Sequence, residues 1–167
     1  MLRQLIVTFI GDDEVGLIKN LSSVVAEHKG NWLASNMSEL AGQFAGILQI
    51  SVDDEYYRDL CEALSLIPGL TVSFAEGKNQ TIWHKAPCLV IQDDDRRGII
   101  NDVARVLTSH NVELKAISTH CKDLWQSDRN TFYAKLKLGL PEQLDLKSFN
   151  HDLLQISSTL QVEMTEM

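Results

Sequence analysis

Hydrophobic and polar positions follow the same order twice along this chain. An apolar strand over residues 5–10 runs into an acidic loop that ends at Gly16, and an amphipathic helix follows. An apolar strand over 88–91, an acidic loop that ends at Gly98 and another amphipathic helix repeat that order 82 positions after Gly16. The register continues through the helix without a gap. Such a repeat predicts two homologous units.

The first unit is predicted to contain four strands and two helices in the order βαββαβ. Apolar residues occupy both faces of its first strand, which is typical of a central strand. We expect Gly30 to end the first helix, over 17–28, with a positive φ. The remaining elements are strands over 31–40 and 43–52 joined by a turn at Ala41-Gly42, a helix that opens at 53–55 and stops at Pro68-Gly69, and a strand over 70–75.

The second unit repeats the order βαββαβ. Pro141 suits the first turn of its second helix, where a missing N–H is tolerated. Its elements are a strand over 88–91, a helix over 99–110, a strand over 112–119, an irregular polar segment over 122–130, a strand whose Phe132, Ala134, Leu136 and Leu138 face inward, a helix carrying Leu146, Phe149, Leu153 and Ile156, and a strand through Leu160, Val162 and Met164.

An α+β fold accounts for this order most economically. In each unit an antiparallel sheet would carry both helices on one face, which is the ferredoxin-like arrangement. We expect right-handed crossovers, and we expect a partner or the other unit to cover the helix-free face. The first domain is assigned to 1–78, a polar linker to 79–85 and the second domain to 86–167. Units of about 80 residues can fold without disulfides or metals.

Charge and cysteine content exclude several classes of function. The 167 residues carry a formal net charge of −8, and a negative field repels phosphate backbones, so direct nucleic-acid binding is not expected. Three cysteines without C-x-x-C spacing argue against a disulfide framework and a zinc site, and no cofactor is indicated. The apolar run over 5–10 is too short for a signal peptide or a membrane span. We expect a reduced, cytoplasmic protein without membrane association.

The loop that ends at Gly16 has the chemistry to hold a free amino acid. A strand that turns directly into a helix leaves backbone N–H groups free, here those of Val15 and Gly16, and such groups bind carboxylates. Asp13 can accept from an ammonium group, and Asn31 can both donate and accept. The residues leave open a plain structural turn in which Asp13 caps the helix.

These motifs resemble the amino-acid-binding ACT domain. The loop Asp-x-x-Gly at 13–16, the helix after it and Gly30-Asn31-Trp32 carry the resemblance, and the tandem without a catalytic domain is similar to regulatory members of that family. The resemblance implies a ferredoxin-like fold with ligands near the loop, at an interface between units. It also implies a non-enzymatic sensor of a small amino acid, with glycine favoured.

The same resemblance implies a biological role. Such a regulator would repress expression of the glycine cleavage system through a protein partner, such as a LysR-type transcriptional activator, rather than by binding DNA. A homo-oligomer is compatible with this role. The alternative is a ligand-independent protein-interaction module, and saturable binding of an amino acid discriminates between the two.

The resemblance also assigns ligand-binding positions. They are Asp13, Val15, Gly16 and Asn31 in the first unit and Asp95, Arg97, Gly98 and Glu113 in the second. The proline that commonly precedes the loop glycine is replaced by Val15 and Arg97. Glu113 stands where asparagine is expected, and its charge would repel a ligand carboxylate. We therefore expect the second unit to bind differently or not at all.

Catalysis is not predicted. His120 and Cys121 are adjacent, but neighbouring residues on a strand point to opposite faces. No acid–base pair at convincing spacing supports a hydrolase or a transferase. His28 and His110 occupy equivalent helix ends, where an imidazole interacts favourably with the helix dipole, so a structural role is expected.

The charged run in the second loop permits several pairings. We expect the acids at 93–95 to be solvated at a helix start. Arg96 and Arg97 can pair with Asp93 or Asp94 at the surface, or they can bind the carboxylate of a partner. The sequence does not decide between these two alternatives.

Overall fold

The computed structural model describes residues 1–78, 86–122 and 130–165. The chain divides into two compact units, Met1–Gln80 and Thr81–Met167. The predicted linker over 79–85 and most of the predicted polar segment over 122–130 lie outside the described residues. The domain limits around that linker stay a prediction.

The first unit has the predicted order βαββαβ. Its sheet is antiparallel with strand order β2-β3-β1-β4, so β1 is central, as its two apolar faces predict. The elements are β1 (Leu2–Asp12), α1 (Leu17–Glu27), β2 (Asn31–Leu40), β3 (Gln43–Asp53), α2 (Asp54–Ser65) and β4 (Leu70–Glu76).

The core of the first unit lies between one face of this sheet and both helices. On β1, Leu5, Val7 and Phe9 are buried, and they share one cluster with Leu21 of α1 and Leu60 of α2. This single-faced packing confirms the ferredoxin-like prediction. On the opposite sheet face Ile10 and Ile47 are 46% and 49% exposed, and covering of that face by a partner stays a prediction.

The second unit has the same architecture. Its strand order is β6-β7-β5-β8, and Phe149 of α4 is fully buried in its core. The elements are β5 (Cys88–Asp94), α3 (Ile99–Ser109), β6 (Glu113–Lys122), β7 (Thr131–Gly139), α4 (Leu146–Leu154) and β8 (Gln161–Thr165). None of the helices within the described stretches is long and apolar enough to cross a membrane.

The turn between β2 and β3 follows its sequence signal. Ala41 and Gly42 both have positive φ, 53° and 81°. Two consecutive positive φ values characterise the tight hairpin turn whose twist matches the flanking strands. The predicted hairpin is therefore confirmed.

The end of α1 differs from the prediction. The left-handed residue is Lys29, with φ 60°, and not Gly30. Gly30 is instead required for close packing, because a Cβ there would lie 2.9 Å from Val25 Cγ1 and 3.0 Å from Ile50 Cγ2. Asn111 takes the left-handed conformation in the second unit, with φ 53°. The left-handed residue after α1 therefore comes one position earlier than the predicted Gly30.

The start of α4 also differs. Pro141 lies before the helix, which begins at Leu146. Asp145 caps it, since its carboxylate accepts from the backbone N–H groups of Lys147 and Ser148 at 3.0 and 3.3 Å. Leu146, predicted on the apolar stripe, is 46% exposed because it is the first residue of the shortened helix.

We expect Asp145→Ala to lower the free energy of unfolding of the second unit by about 0.5–2 kcal/mol, because two N–H groups lose their acceptor. Chemical denaturation followed by circular dichroism measures this. Lys147→Ala is the control, since Lys147 donates through its backbone. An unchanged free energy in Asp145→Ala would show that the cap contributes nothing.

Candidate functional site

A left-handed glycine ends the first loop. Gly16 has φ 91° and occupies the N-cap position of α1, and no side chain caps this helix. The alternative in which Asp13 is the cap is therefore wrong. A Cβ on Gly16 would meet nothing within 4 Å, so glycine is needed here for its conformation and not for space.

The loop leaves hydrogen-bond donors free at the helix N-terminus. The N–H of Asp13 donates to the Gly42 carbonyl at 2.9 Å, and the N–H of Leu17 donates to the Glu14 carbonyl at 3.3 Å. Among the described residues, the N–H groups of Val15 and Gly16 between them have no backbone acceptor. Val15 is fully exposed, so both donors are open to a ligand.

A small pocket of about 160 Å³ adjoins these donors. It is lined by Asp13, Glu14, Gly16, Leu17, Ile18, Lys19 and Phe44. The Asp13 carboxylate can accept from an ammonium group, while the helix N-terminus favours a carboxylate. One pocket thus offers partners for both charges of a free amino acid.

Asn31 lies at the other end of the sheet. It pairs with Ser51, which pairs in turn with Gln4 near the start of β1. The Gly16 loop follows Asp12, eight positions further along β1, which corresponds to about 26 Å. A single unit therefore brings Asp13, Val15 and Gly16 together but leaves Asn31 outside their site.

The second loop repeats the backbone of the first with different charges. Gly98 caps α3 with φ 85°, again without a side-chain cap. Arg96 Nη1 pairs with Asp102 Oδ2 of the first turn of α3 at 2.9 Å, a partner that is not among the predicted ones. Glu113 pairs with Lys115 and faces Gly139 at the far end of the sheet, so it too lies away from its loop.

Asp93 is not solvated as predicted. It is 3% exposed, because its side chain points to the same sheet face as the buried Leu89 and Ile91. The signal that could have shown this is the alternation of β5, which continues three residues beyond the predicted end of the strand.

The histidines make local contacts. His28 Nδ1 lies 2.9 Å from the Val24 carbonyl, and His110 Nε2 lies 2.8 Å from Asp152 Oδ2. His120 is stacked on Tyr133, with ring centroids 5.1 Å apart. In the stretches that the structure describes, no group of three or more His, Cys, Asp or Glu residues could hold a metal ion.

Thiol chemistry has little support at Cys61. Burial raises the pKa of this thiol. Because the thiolate is the nucleophile, a raised pKa lowers its reactivity at neutral pH.

Comparison with known proteins confirms the resemblance. A family model described as the ACT domain matches residues 3–74. A crystal structure of an unknown protein from Galdieria sulphuraria superimposes with a TM-score of 0.87 at 19% identity, covering 100% of this chain and 99% of the other. The crystal structure of a candidate glycine cleavage system transcriptional repressor superimposes with a TM-score of 0.74 at 12% identity, covering 100% of this chain and 98% of the other. No curated protein sequence matches this chain.

We expect Gly16→Ala to cost about 1–2 kcal/mol of unfolding free energy, because an alanine Cβ disfavours the left-handed conformation. Gly16→Asn should cost less, since asparagine adopts this conformation more readily. Denaturant titration measures both variants, and the same pair at Gly98 tests the second loop. Equal costs for alanine and asparagine would contradict the conformational explanation.

Proposed function

We propose that this chain, whose residues 3–74 match the ACT domain and whose second unit repeats the fold, is a non-enzymatic regulator that senses a small amino acid, with glycine favoured. The observation that carries the proposal is the pocket at the N-terminus of α1. The free N–H groups there can bind the carboxylate of an amino acid, and the Asp13 carboxylate can bind its ammonium group.

The size of the pocket supports a small ligand. Its volume of about 160 Å³ is well below that of sites for drug-sized molecules, which start near 300 Å³. Glycine has five heavy atoms, and a ceiling of about −1.5 kcal/mol per atom limits its binding free energy to about −7.5 kcal/mol. That limit corresponds to a dissociation constant near micromolar, so a sensor would work from about ten micromolar to millimolar.

The regulatory output is proposed to pass through a protein. A net charge of −8 disfavours DNA as the direct target. The structural similarity to a candidate glycine cleavage system transcriptional repressor supports repression of that system. The proposed partner is a LysR-type transcriptional activator, and the proposed location is the cytoplasm.

The two loops are proposed to differ in their ligands. Asp13 of the first loop is followed by Glu14 and Val15, whereas the equivalent Asp95 of the second is followed by Arg96 and Arg97. The first loop therefore favours the ammonium end of an amino acid more strongly. We assign glycine to the first unit and leave Asp95, Arg97 and Gly98 as the corresponding positions of a second, different site.

Calorimetric titration of the chain with glycine, followed by the other amino acids, tests the sensor. We expect saturable heat with glycine, and a dissociation constant at least about tenfold weaker in Asp13→Asn, because a charge-assisted hydrogen bond is lost. Asp59→Asn on the exposed side of α2 is the matched control and should bind as the wild type does.

If no amino acid gives binding heat at millimolar concentration, the ligand-independent interaction module is favoured. If glycine binds with saturable heat and Asp13→Asn binds it as tightly as the wild type does, the ligand lies elsewhere.

Asn31 is proposed to join the site only from another copy of the chain, because about 26 Å separates it from the loop of its own unit. We expect Asn31→Ala to weaken glycine binding at least about tenfold, and we expect glycine to promote self-association in sedimentation velocity. Asn36→Ala, also exposed on β2, is the control. Equal affinities of the Asn31 and Asn36 variants would remove Asn31 from the site.

A further inference from the structure

The helix-free face of the second sheet carries a pair of lysines at its centre. On β7, Ala134, Leu136 and Leu138 are buried in the core shared with the helices, so the residues between them point to the opposite face. Lys135 and Lys137 are these residues, and both are exposed. Because β7 lies between β6 and β5, the two lysines stand in the interior of the sheet and not at its edge.

The two lysines have no counter-ion beside them. In the stretches that the structure describes, neither Lys135 nor Lys137 forms a salt bridge. Residues two apart on a strand have Cα atoms about 6.8 Å apart, so two like charges lie close together. The chain has 23 acidic side chains against 15 Lys and Arg, yet it leaves this pair uncompensated. Their four cross-strand neighbours are uncharged, namely Val90, Ser118, Cys88 and Ala116.

The first unit shows that the fold does not require charge at these positions. The strands β1 and β5 correspond at a spacing of 82 positions, and their pairing with β3 and β7 aligns the two units. Ile47 and Gln49 stand in the first unit where the second has Lys135 and Lys137. An uncharged face therefore suffices for the sheet, and the lysine pair distinguishes the second unit.

The other charges of this face do not neutralise its centre. Three carboxylates of the described residues share the face. Glu113 at the end of β6 pairs with Lys115. Asp94 lies at the far end of β5, and Glu163 lies on the edge strand β8, two strands from β7. Lys122 on β6 adds a further positive charge, so the face favours an anionic partner.

The aromatic side chains of this face do not favour nucleic acid as that partner. Sheet surfaces that bind single-stranded nucleic acid stack bases on exposed aromatic rings. His120 and Tyr133 are instead stacked on each other, with ring centroids 5.1 Å apart and planes 10° apart, so each covers one face of the other. A net charge of −8 also repels a long polyanion. A protein segment with a few carboxylates fits the surface better.

We propose that Lys135 and Lys137 form a docking surface for an extended acidic segment of a protein partner. Alternate side chains of an extended segment lie about 6.8 Å apart, which matches the spacing of the two lysines. The small uncharged neighbours of the pair allow the segment to lie directly on the sheet. Ion pairs of this kind provide specificity and a fast association rate. The proposal does not depend on glycine binding by the first unit, and the two can succeed or fail independently.

The test is fluorescence anisotropy of a labelled Ser-Glu repeat peptide titrated with the full chain. We expect saturable binding that weakens as salt is added, and no binding of a Ser-Lys repeat peptide. The double variant Lys135→Glu/Lys137→Glu should weaken binding at least about tenfold, because two attractions become repulsions. The matched control is Arg105→Glu/Lys147→Glu, which changes two exposed cations of α3 and α4 and has the same net charge. It should bind as the wild type does.

Four outcomes overturn the proposal. The first is no saturable peptide binding by the wild type, and the second is an equal loss in both double variants, which would show that only net charge matters. Tighter binding of a single-stranded oligothymidylate than of the peptide would assign the face to nucleic acid. Self-association without glycine that is lost in Lys135→Glu/Lys137→Glu would assign it to a second copy of the chain.

A second variant keeps the test decisive if the charge reversals prevent folding, which far-UV circular dichroism would reveal. Lys135→Ile/Lys137→Gln introduces the residues that the first unit has at the equivalent positions, so the sheet accommodates them. It should also lose peptide binding, because both cations are removed. Glycine binding by each folded variant should match that of the wild type.

Discussion

The central strand of each unit is hydrogen-bonded on both sides, and this constraint determines where the rest of the structure lies. Leu5, Val7 and Phe9 must face the helices, because a shift of one residue would turn all three to the opposite face. The strand therefore ends at a defined point, and the chain must turn at once into α1. Gly16 makes that turn, which places unpaired N–H groups beside a pocket.

The two units share a backbone and differ in chemistry. Both loops end in a left-handed glycine, yet Glu14 of the first is replaced in the second by Arg96, which pairs with Asp102. A second contrast lies between the end of the first strand and the start of the last strand of each unit, where Gly11 packs against the Gly69 backbone and Asp93 accepts from hydroxyls. The two units thus keep the same scaffold, while the side chains at the strand ends give them different chemistry.

The pattern of the chain predicted most of the fold. Periods of two and 3.6 residues are local properties. The eight strands and four helices of the described residues, the hairpin turn and the inward face of β7 therefore all follow from the sequence itself. The exceptions are helix ends. Lys29 takes the left-handed conformation because Gly30 packs closely against Val25 and Ile50. Asp145 begins α4 beyond Pro141 because its carboxylate accepts from two N–H groups of the first turn.

The sequence by itself determined the repeat, the fold class, the glycine loops and the residues that could meet an amino acid in the first of them. Only the tertiary structure decided which of those residues are neighbours. Asp13 and Gly16 share a pocket, whereas antiparallel pairing places Asn31 at the far end of the same sheet. The hydroxyl partners of Asp93 were equally hidden, since they lie more than sixty positions away along the chain. Distances of this kind arise from strand register, which local periodicity does not encode.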